Sequence, residues 1–238
     1  MPQEKIDQNF INNVFSSVSD NYDYMNDIMS GGIHRIWKKH FVEILPIDNL
    51  KFLDMASGSG DIAISIAHKQ KKYNKSVDIT LCDINKDMLD KARVKFINEG
   101  IIENCKFEVA DAAKLPFEDN SFDIYTISFG IRNVPERKGA FLEAKRVLKP
   151  GGKLFCMEFS KVENKLVAPL YNFYLNAIIP NMGQVFAQNK EAYEYLKNSI
   201  INFPSQEEIV NELKDCGFSN VNYYNMTFGI VCIHVAQA

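Results

Sequence analysis

Apolar and polar positions change period several times along the chain. Up to about residue 45 the apolar positions recur at helical spacing, and this amphipathic stretch is broken at Ser30-Gly31-Gly32. Leu50–Ala56 is a short apolar run that ends in Ser57-Gly58-Ser59-Gly60, and from Asp61 to about Lys72 the helical period returns through Ile62 and Ile66. Val77–Cys82 is the next strand candidate and ends at Asp83. Asn85 is placed to cap a helix over Lys86–Asn98, which stops at Gly100. Cys105–Ala110 and Phe122–Ser128 predict a third and a fourth strand. Ala140–Leu148 predicts a helix closed by Pro150-Gly151-Gly152, and Lys153–Phe159 a fifth strand.

Alternation of strand and helix from about 50 to 160 predicts a parallel sheet with helices on both faces and right-handed crossovers. In such sheets a ligand lies at the carboxyl ends of the strands, where the strand order reverses. Ser57–Asp61, Asp83, Asp111 and Ser128–Asn133 all follow strand ends, so these loops are expected to converge on one cleft. From 161 to 203 the alternation fails. Tyr171, Phe173, Tyr174, Ile178 and Ile179 mark an apolar helical stretch broken at Pro180, which reads as an inserted lid. Gln206–Cys216 predicts a helix ended by Gly217. Phe218–Tyr224 and Ile230–Ala236 predict two closing strands, paired antiparallel at one edge. The expected organisation is a single domain over 1–238. It has an N-terminal helical cap (1–46), a core (50–160), a helical lid (161–203), and a closing helix with edge strands (204–238).

Composition narrows the class. With 238 residues, 46% hydrophobic and 24% charged, the chain has the balance of one soluble domain with a sizeable core. A net charge of -3 lowers nucleic acid as a partner. The N-terminus MPQEKIDQNF reads as neither a signal peptide nor a transit peptide, and no run approaches the roughly 20 apolar residues of a membrane span. The five cysteines are scattered with no CxxC pair, which predicts a reducing, cytoplasmic setting rather than disulfides or a zinc site. His34, His40, His68 and His234 form no metal-ligand pattern.

Gly58-Ser59-Gly60-Asp61-Ile62-Ala63 fits G-x-G-x-x-A, and Asp83 follows about 20 residues later, which is the spacing of a dinucleotide site. The local charge points elsewhere. Asp54 and Asp61 flank the loop, and no Lys or Arg occurs between Phe52 and Ala67. An acidic loop opposes a diphosphate but accepts a cation such as S-adenosylmethionine, whose ribose still wants a carboxylate at Asp83. Asp111-Ala112, at the third strand's end, can meet the adenine amino group, or can simply start a turn. The glycines by themselves are also compatible with no more than a tight turn.

LDMASGSGD, CDIN, LPFEDNSFD and RVLKPGGKL resemble the successive motifs of class I S-adenosylmethionine-dependent methyltransferases. Narrower signatures flank them. Val14-Phe15, Tyr22-Asp23-Tyr24-Met25-Asn26-Asp27-Ile28-Met29-Ser30 and His34-Arg35-Ile36-Trp37-Lys38 resemble the N-terminal signature of the ubiquinone/menaquinone biosynthesis C-methyltransferases. Thr126 to Val134 resembles that family's second signature. Glu158-Phe159-Ser160-Lys161, Tyr195-Leu196, Ser199-Ile200, Phe203-Pro204, Thr227-Phe228-Gly229-Ile230 and His234 also match, so the resemblance spans nearly the whole chain. Two departures are visible. Ser57 replaces a glycine of the loop, and Val185-Phe186-Ala187-Gln188-Asn189-Lys190 stands where the family commonly carries an acidic dyad after Gly183.

The resemblance implies a Rossmann-like α/β fold with a seven-stranded, mostly parallel sheet, N-terminal helices and a helical lid. It implies S-adenosylmethionine as cofactor, bound by Gly58, Ser59, Gly60, Asp83, Asp111, Ala112 and Ser128. The reaction implied is methylation of a ring carbon of a polyprenylated benzoquinol or a demethylmenaquinol. Arg132 and Asn133 are then the catalytic pair. Arg132 stabilises a phenolate, Asn133 orients it, and a water or Tyr22 takes the proton. Tyr171, Phe173, Tyr174, Leu175, Ile178, Ile179 and Phe186 are expected to line a groove for the prenyl tail. Trp37 and Met29 are expected as core anchors that wall the same space. A lipid substrate predicts at most peripheral contact with the inner membrane face, and a homodimer or a quinone-biosynthesis assembly as further partners. Three other readings stand beside this one: a nicotinamide-dependent oxidoreductase, a non-catalytic scaffold, and methylation of another small molecule.

Overall fold

The computed structural model describes residues 27, 30–101, 103–179 and 190–238. Val14-Phe15, Tyr22 to Asn26, Ile28, Met29, Pro180, Gly183 and Val185 to Asn189 lie outside the described residues. The strands are β1 (Lys51–Met55), β2 (Asp78–Asp83), β3 (Cys105–Val109), β4 (Phe122–Ser128), β5 (Leu148–Phe159), β6 (Ser219–Met226) and β7 (Val231–Gln237). They form one seven-stranded sheet in the order β3-β2-β1-β4-β5-β7-β6. Every pairing from β3 to β5 is parallel, and β7 runs antiparallel to both β5 and β6. The helices are α1 (Ile33–Glu43), α2 (Asp61–Lys72), α3 (Lys86–Asn98), α4 (Arg137–Val147), α5 (Ala168–Phe173), α6 (Lys190–Asn202) and α7 (Gln206–Asp215). A π-helical turn over Tyr174–Ile178 continues α5.

The centre of the sheet is buried on both sides because β1 and β4 are near-continuous apolar runs. Successive residues of β1 feed opposite cores. Phe52 packs with Phe41, Ile66 and Phe96 of α1, α2 and α3, whereas Leu53 packs with Phe141 and Leu213 of α4 and α7. A third, small cluster of Leu175, Ile179, Tyr193 and Ile200 holds the lid together. Among the described residues no helix is long and apolar enough to cross a membrane. Cys82, Cys156, Cys216 and Cys232 are buried free thiols, and Cys105 is half-buried.

Local signals set the helix ends. Gly31 and Gly32 take left-handed backbone (φ 58° and 79°) just before α1, which is why the amphipathic pattern breaks there. The Asn85 side chain accepts the N–H groups of Asp87 and Met88 at the start of α3. Ser205 and Glu208 close a reciprocal capping box on α7.

The boundaries that differ most from the sequence reading are the starts of α4 and β5. α4 starts at Arg137 rather than Ala140. β5 starts at Leu148 and runs straight through Pro150-Gly151-Gly152, which the local sequence marks as a stop. The reason lies at the other end of the chain. Gly151 N–H donates to the Ala238 carbonyl (3.0 Å), and Ala238 N–H donates to the Gly152 carbonyl (2.8 Å). The extra residues are absorbed by a bulge, where pairing jumps from Phe122↔Leu148 to Ile124↔Lys153.

Candidate functional site

The strand order reverses between β1 and β4, and their loops touch. A Cβ on Gly130 would stand 2.4 Å from the Ala56 Cβ, so only glycine fits there. Ala56 (φ 52°) and Phe129 (φ 54°) both hold left-handed backbone, which costs energy for residues with a Cβ. The loop after β1 is tied sideways to β2. Ser57 N–H donates to the Cys82 carbonyl (3.0 Å), and Gly58 N–H donates to Asp83 Oδ2 (2.8 Å). Asp83 Oδ1 accepts the Asn85 N–H (2.9 Å), and the Asp83 carbonyl accepts the Ala110 N–H at the end of β3 (3.1 Å). Asp111 follows, exposed, with Oδ1 accepting the Ala113 N–H (2.9 Å), and Ala112 is buried. The ends of β1, β2, β3 and β4 therefore form one continuous hydrogen-bonded and packed rim.

Charge at this rim is distributed differently from the linear sequence. Asp61 accepts from Lys38 of α1 (2.8 Å) and from Lys95 of α3 (3.0 Å), and Lys95 also donates to Ser59 Oγ (3.0 Å). Burial alone would raise the Asp61 carboxyl, but the two ammonium groups outweigh it and bring it down to about 2. The loop is thus not a bare acidic segment, because its most exposed carboxylate is neutralised by residues distant in sequence. The uncompensated acids are Asp54 and Asp83, which have no cationic partner within ion-pair distance among the described residues. Burial raises the pKa of both. Asp54 Oδ1 accepts the Thr126 hydroxyl (2.7 Å), Oδ2 is buried without a partner, and burial with the nearby Asp83 and Asp61 carboxylates carries the group to about 7.

Arg132 and Asn133 lie on the 3-10 turn Ile131–Asn133 after β4. Arg132 is buried. One guanidinium nitrogen donates to Glu158 Oε1 (3.0 Å) and to the Phe129 carbonyl, and the backbone N–H of Arg132 reaches Glu158 Oε2 (3.3 Å). The guanidinium lies over the Phe159 ring, 5.5 Å from its centre, and Nε is buried without a partner. Glu158, at the end of β5, is itself fully buried and also accepts the Phe159 N–H (2.9 Å). Asn133 Oδ1 accepts the Tyr195 hydroxyl of α6 (2.9 Å), which joins the lid to the turn.

A cavity of about 670 Å³ opens from this rim. Gly58, Ser59, Ser128 and Arg132 are in its wall; Gly60, Asp83, Asp111, Ala112 and Asn133 are not. Tyr171, Phe173, Tyr174, Leu175, Ile178 and Ile179 of the lid line its far side, as the apolar period of that segment predicts. Trp37 closes it from α1, with its ring edge-on to Phe159 (6.2 Å, 88°) and its indole N–H donating to Thr227 Oγ1 (2.8 Å).

Residues 3–238 match the sequence profile of the ubiE/COQ5 methyltransferase family. The chain belongs to this family. It is 52% identical over 229 residues to the ubiquinone/menaquinone biosynthesis C-methyltransferase UbiE of Rickettsia bellii (strain RML369-C), covering 96% of this chain and 92% of that protein. Among solved structures it resembles the [4+2]-cyclase SpnF (TM-score 0.69, 15% identity, 95% of this chain and 94% of that one). It also resembles a SAM-dependent methyltransferase from Aquifex aeolicus (TM-score 0.58, 19% identity, 84% and 87% covered). At those identities the two structures establish the Rossmann-like fold and nothing about the reaction. The family does decide the cofactor. It is S-adenosylmethionine, not a nicotinamide dinucleotide.

The residues of this methyltransferase fit that group. Gly58 and Gly60 hold left-handed backbone (φ 54° and 84°), and the Ser57 Oγ and Asp54 Oδ2 atoms beneath them are buried polar atoms without a protein partner. Asp83 presents a carboxylate at the same loop. Several contributors escape sequence reasoning. Lys95 carries no signal at all, since one lysine of an exposed helix looks like another. Glu158 does carry one, as a lone acid inside the apolar run of β5. Thr126 and Tyr195 were legible only as motif members, without a contact.

The raised Asp54 carboxyl predicts a pH dependence for this site. Affinity for the cationic cofactor should rise as pH increases through about 7, where the carboxyl ionises. Calorimetric titration from acid to alkaline pH checks this, and Asp54→Asn should flatten the profile.

Proposed function

We propose that the protein transfers the methyl group of S-adenosylmethionine to a ring carbon of a polyprenylated hydroquinol, a benzoquinol or a demethylmenaquinol. The observation that carries this reading is the cavity. It is lined mainly by aliphatic and aromatic side chains along the lid, and its charged groups are Arg132 and, beside the glycine loop, Lys38 and Asp61, which suits a molecule with one hydroxylated ring and a hydrocarbon tail. The printed name of the Rickettsia bellii relative agrees with it.

When bound, S-adenosylmethionine supplies an electrophilic methyl group on a sulfonium. The chain supplies position and charge. Asp83 would accept the ribose hydroxyls, the Gly58–Gly60 backbone would leave room beside them, Asp111 and Ala112 would meet the adenine, and Ser128 would border the reacting end. The ring carbon becomes nucleophilic as its neighbouring hydroxyl loses a proton. Arg132 stabilises the resulting phenolate through a guanidinium whose buried Nε–H has no protein partner. Arginine stays protonated in proteins and so is not the base. Asn133 lies outside the cavity wall, and its carbonyl oxygen accepts the Tyr195 hydroxyl, so its part is to hold the lid against the turn that carries Arg132. The hydroxyl proton would pass to a water or to Tyr22, which lies outside the described residues. Glu158 holds Arg132 from below and keeps the guanidinium aimed at the cavity.

The same reading puts the protein in the cytoplasm, against the inner membrane face. Its support is the set of free, unpaired thiols and the lipid character of the substrate. Mass spectrometry of quinones from cells lacking the protein should detect a quinone one methyl group short. An unchanged quinone pool would count against the substrate assignment.

A further inference from the structure

The proposed transfer needs a destination for the quinol's hydroxyl proton, and the turn before α1 contains one. Gly31 and Gly32 hold left-handed backbone, and the Gly32 N–H donates to the Asp27 carbonyl (2.9 Å), so the chain doubles back at the start of α1. Ser30 then stands four residues before His34, with its Oγ 2.8 Å from His34 Nδ1. The same Oγ accepts the His34 backbone N–H (3.4 Å), which ties the serine to the start of the helix. On the other side of the ring, Nε2 lies 3.7 Å from Asp27 Oδ1. Arg35 grips both oxygens of that carboxylate, with Nε 2.7 Å from Oδ1. Ser30 and His34 are both in the wall of the cavity that Arg132 also lines.

Serine, imidazole and carboxylate in this order can carry a proton away from the cavity. A proton on Nε2 faces Asp27, which leaves Nδ1 to accept the Ser30 hydroxyl. A hydroxyl donates and accepts at once, so Ser30 can take a proton from the cavity while passing its own to Nδ1. The imidazole is in the form that this requires. Burial and the Lys38 ammonium, with Arg35, hold it below its ordinary value against the pull of Asp27 and of Asp61 on α2. At neutral pH it is therefore unprotonated and able to accept. Hydrogen bonds from Arg35 hold the Asp27 carboxyl below its ordinary value, so it stays charged opposite the ring. In water a phenol ionises only near pH ~10, so a positioned acceptor matters for this chemistry.

We propose that Ser30 and His34 form a proton relay that ionises the quinol's hydroxyl, with Asp27 steadying the imidazolium. The substrate O–H bond breaks toward Ser30 Oγ as the serine's proton moves to His34 Nδ1, and Arg132 stabilises the phenolate left behind. The ring carbon takes the methyl group. The hydrogen on that carbon then leaves to water as a proton, its bonding pair restores the aromatic ring, and the imidazolium returns its proton to the ring oxygen. One proton is released per methyl group transferred. This deepens the quinol reading above and rests on it. Turnover of a demethylmenaquinol is measured across pH for the wild type, Ser30→Ala and His34→Gln. Saturating S-adenosylmethionine takes the ionisation of Asp54 out of the comparison. Wild-type kcat should fall as pH drops through the imidazole's value, because the protonated ring accepts nothing. Both variants should lose about 10²-fold in kcat with little change in KM, and His34→Gln should lose the acidic limb. A fluorinated quinol that is already ionised at the assay pH should close the gap between variants and wild type. A loss caused only by a misplaced α1 would be the same for both quinols, so equal gaps overturn the proposal. Wild-type kcat in either variant overturns it too, and leaves the quinol reading standing. A wild type that methylates neither quinol defeats the functional reading and the relay with it.

Discussion

Arg132→Ala should lower turnover by about 10²- to 10³-fold, the usual effect of removing a group that stabilises developing oxyanion charge, while calorimetry shows near wild-type affinity for S-adenosylmethionine. The same variant should lose about 3–5 kcal/mol of stability, because a buried carboxylate is left without its cation. That carboxylate is Glu158, which burial already holds above the ordinary value against the pull of Arg132. Without Arg132 it rises further. A raised pKa in the folded state means that stability is greatest at low pH and falls as pH rises through the folded-state value. Thermal melts across a pH series should show this slope in Arg132→Ala. Adding Glu158→Gln should recover much of the stability and none of the turnover, which separates the structural part of the effect from the chemical part. Full turnover in Arg132→Ala would exclude the phenolate role.

Gly130→Ala should be nearly as damaging, for a purely steric reason. The backbone of Gly130 is ordinary (φ -113°), but its new Cβ would press on the Ala56 Cβ at 2.4 Å. The loops after β1 and β4 must then part, at a cost of about 1–3 kcal/mol. Cofactor affinity should fall with stability, since the glycine loop starts one residue beyond Ala56. Ala56→Gly removes both the clash and a left-handed alanine (φ 52°), so the double variant should regain most of what Gly130→Ala loses. Denaturant melts of the two single variants and the double decide it. Additive losses would mean that the two loops are not coupled through this contact.

What the sequence made legible follows from range. The Gly58–Asp61 turn, the Asn85 cap and the limits of α2 and α3 are local events, and they fall where the residues indicate. The seven strands were readable for the same reason, because apolar runs punctuated by strand-ending Asp and Gly need no partner to be recognised. The start of β5 was not, because it depends on Phe122 opposite Leu148 and on Ala238 opposite Gly151 and Gly152. The charge at the site was misread on similar grounds. Asp61 is neutralised from 23 residues before it and 34 after it. Arg132 and Glu158 were each visible in a motif, yet nothing in either motif says that they touch. Asn133 and Tyr195 meet across 62 residues of chain.

The lid has a core of its own, with Phe159 as the residue that packs against both it and the sheet. A small core of this kind is expected to open more readily than the strands it covers. An enclosure of this kind does not measure its guest. On the proposed reading, a tail longer than the cavity would pass out at the lid, and discrimination would fall on the ring at the other end.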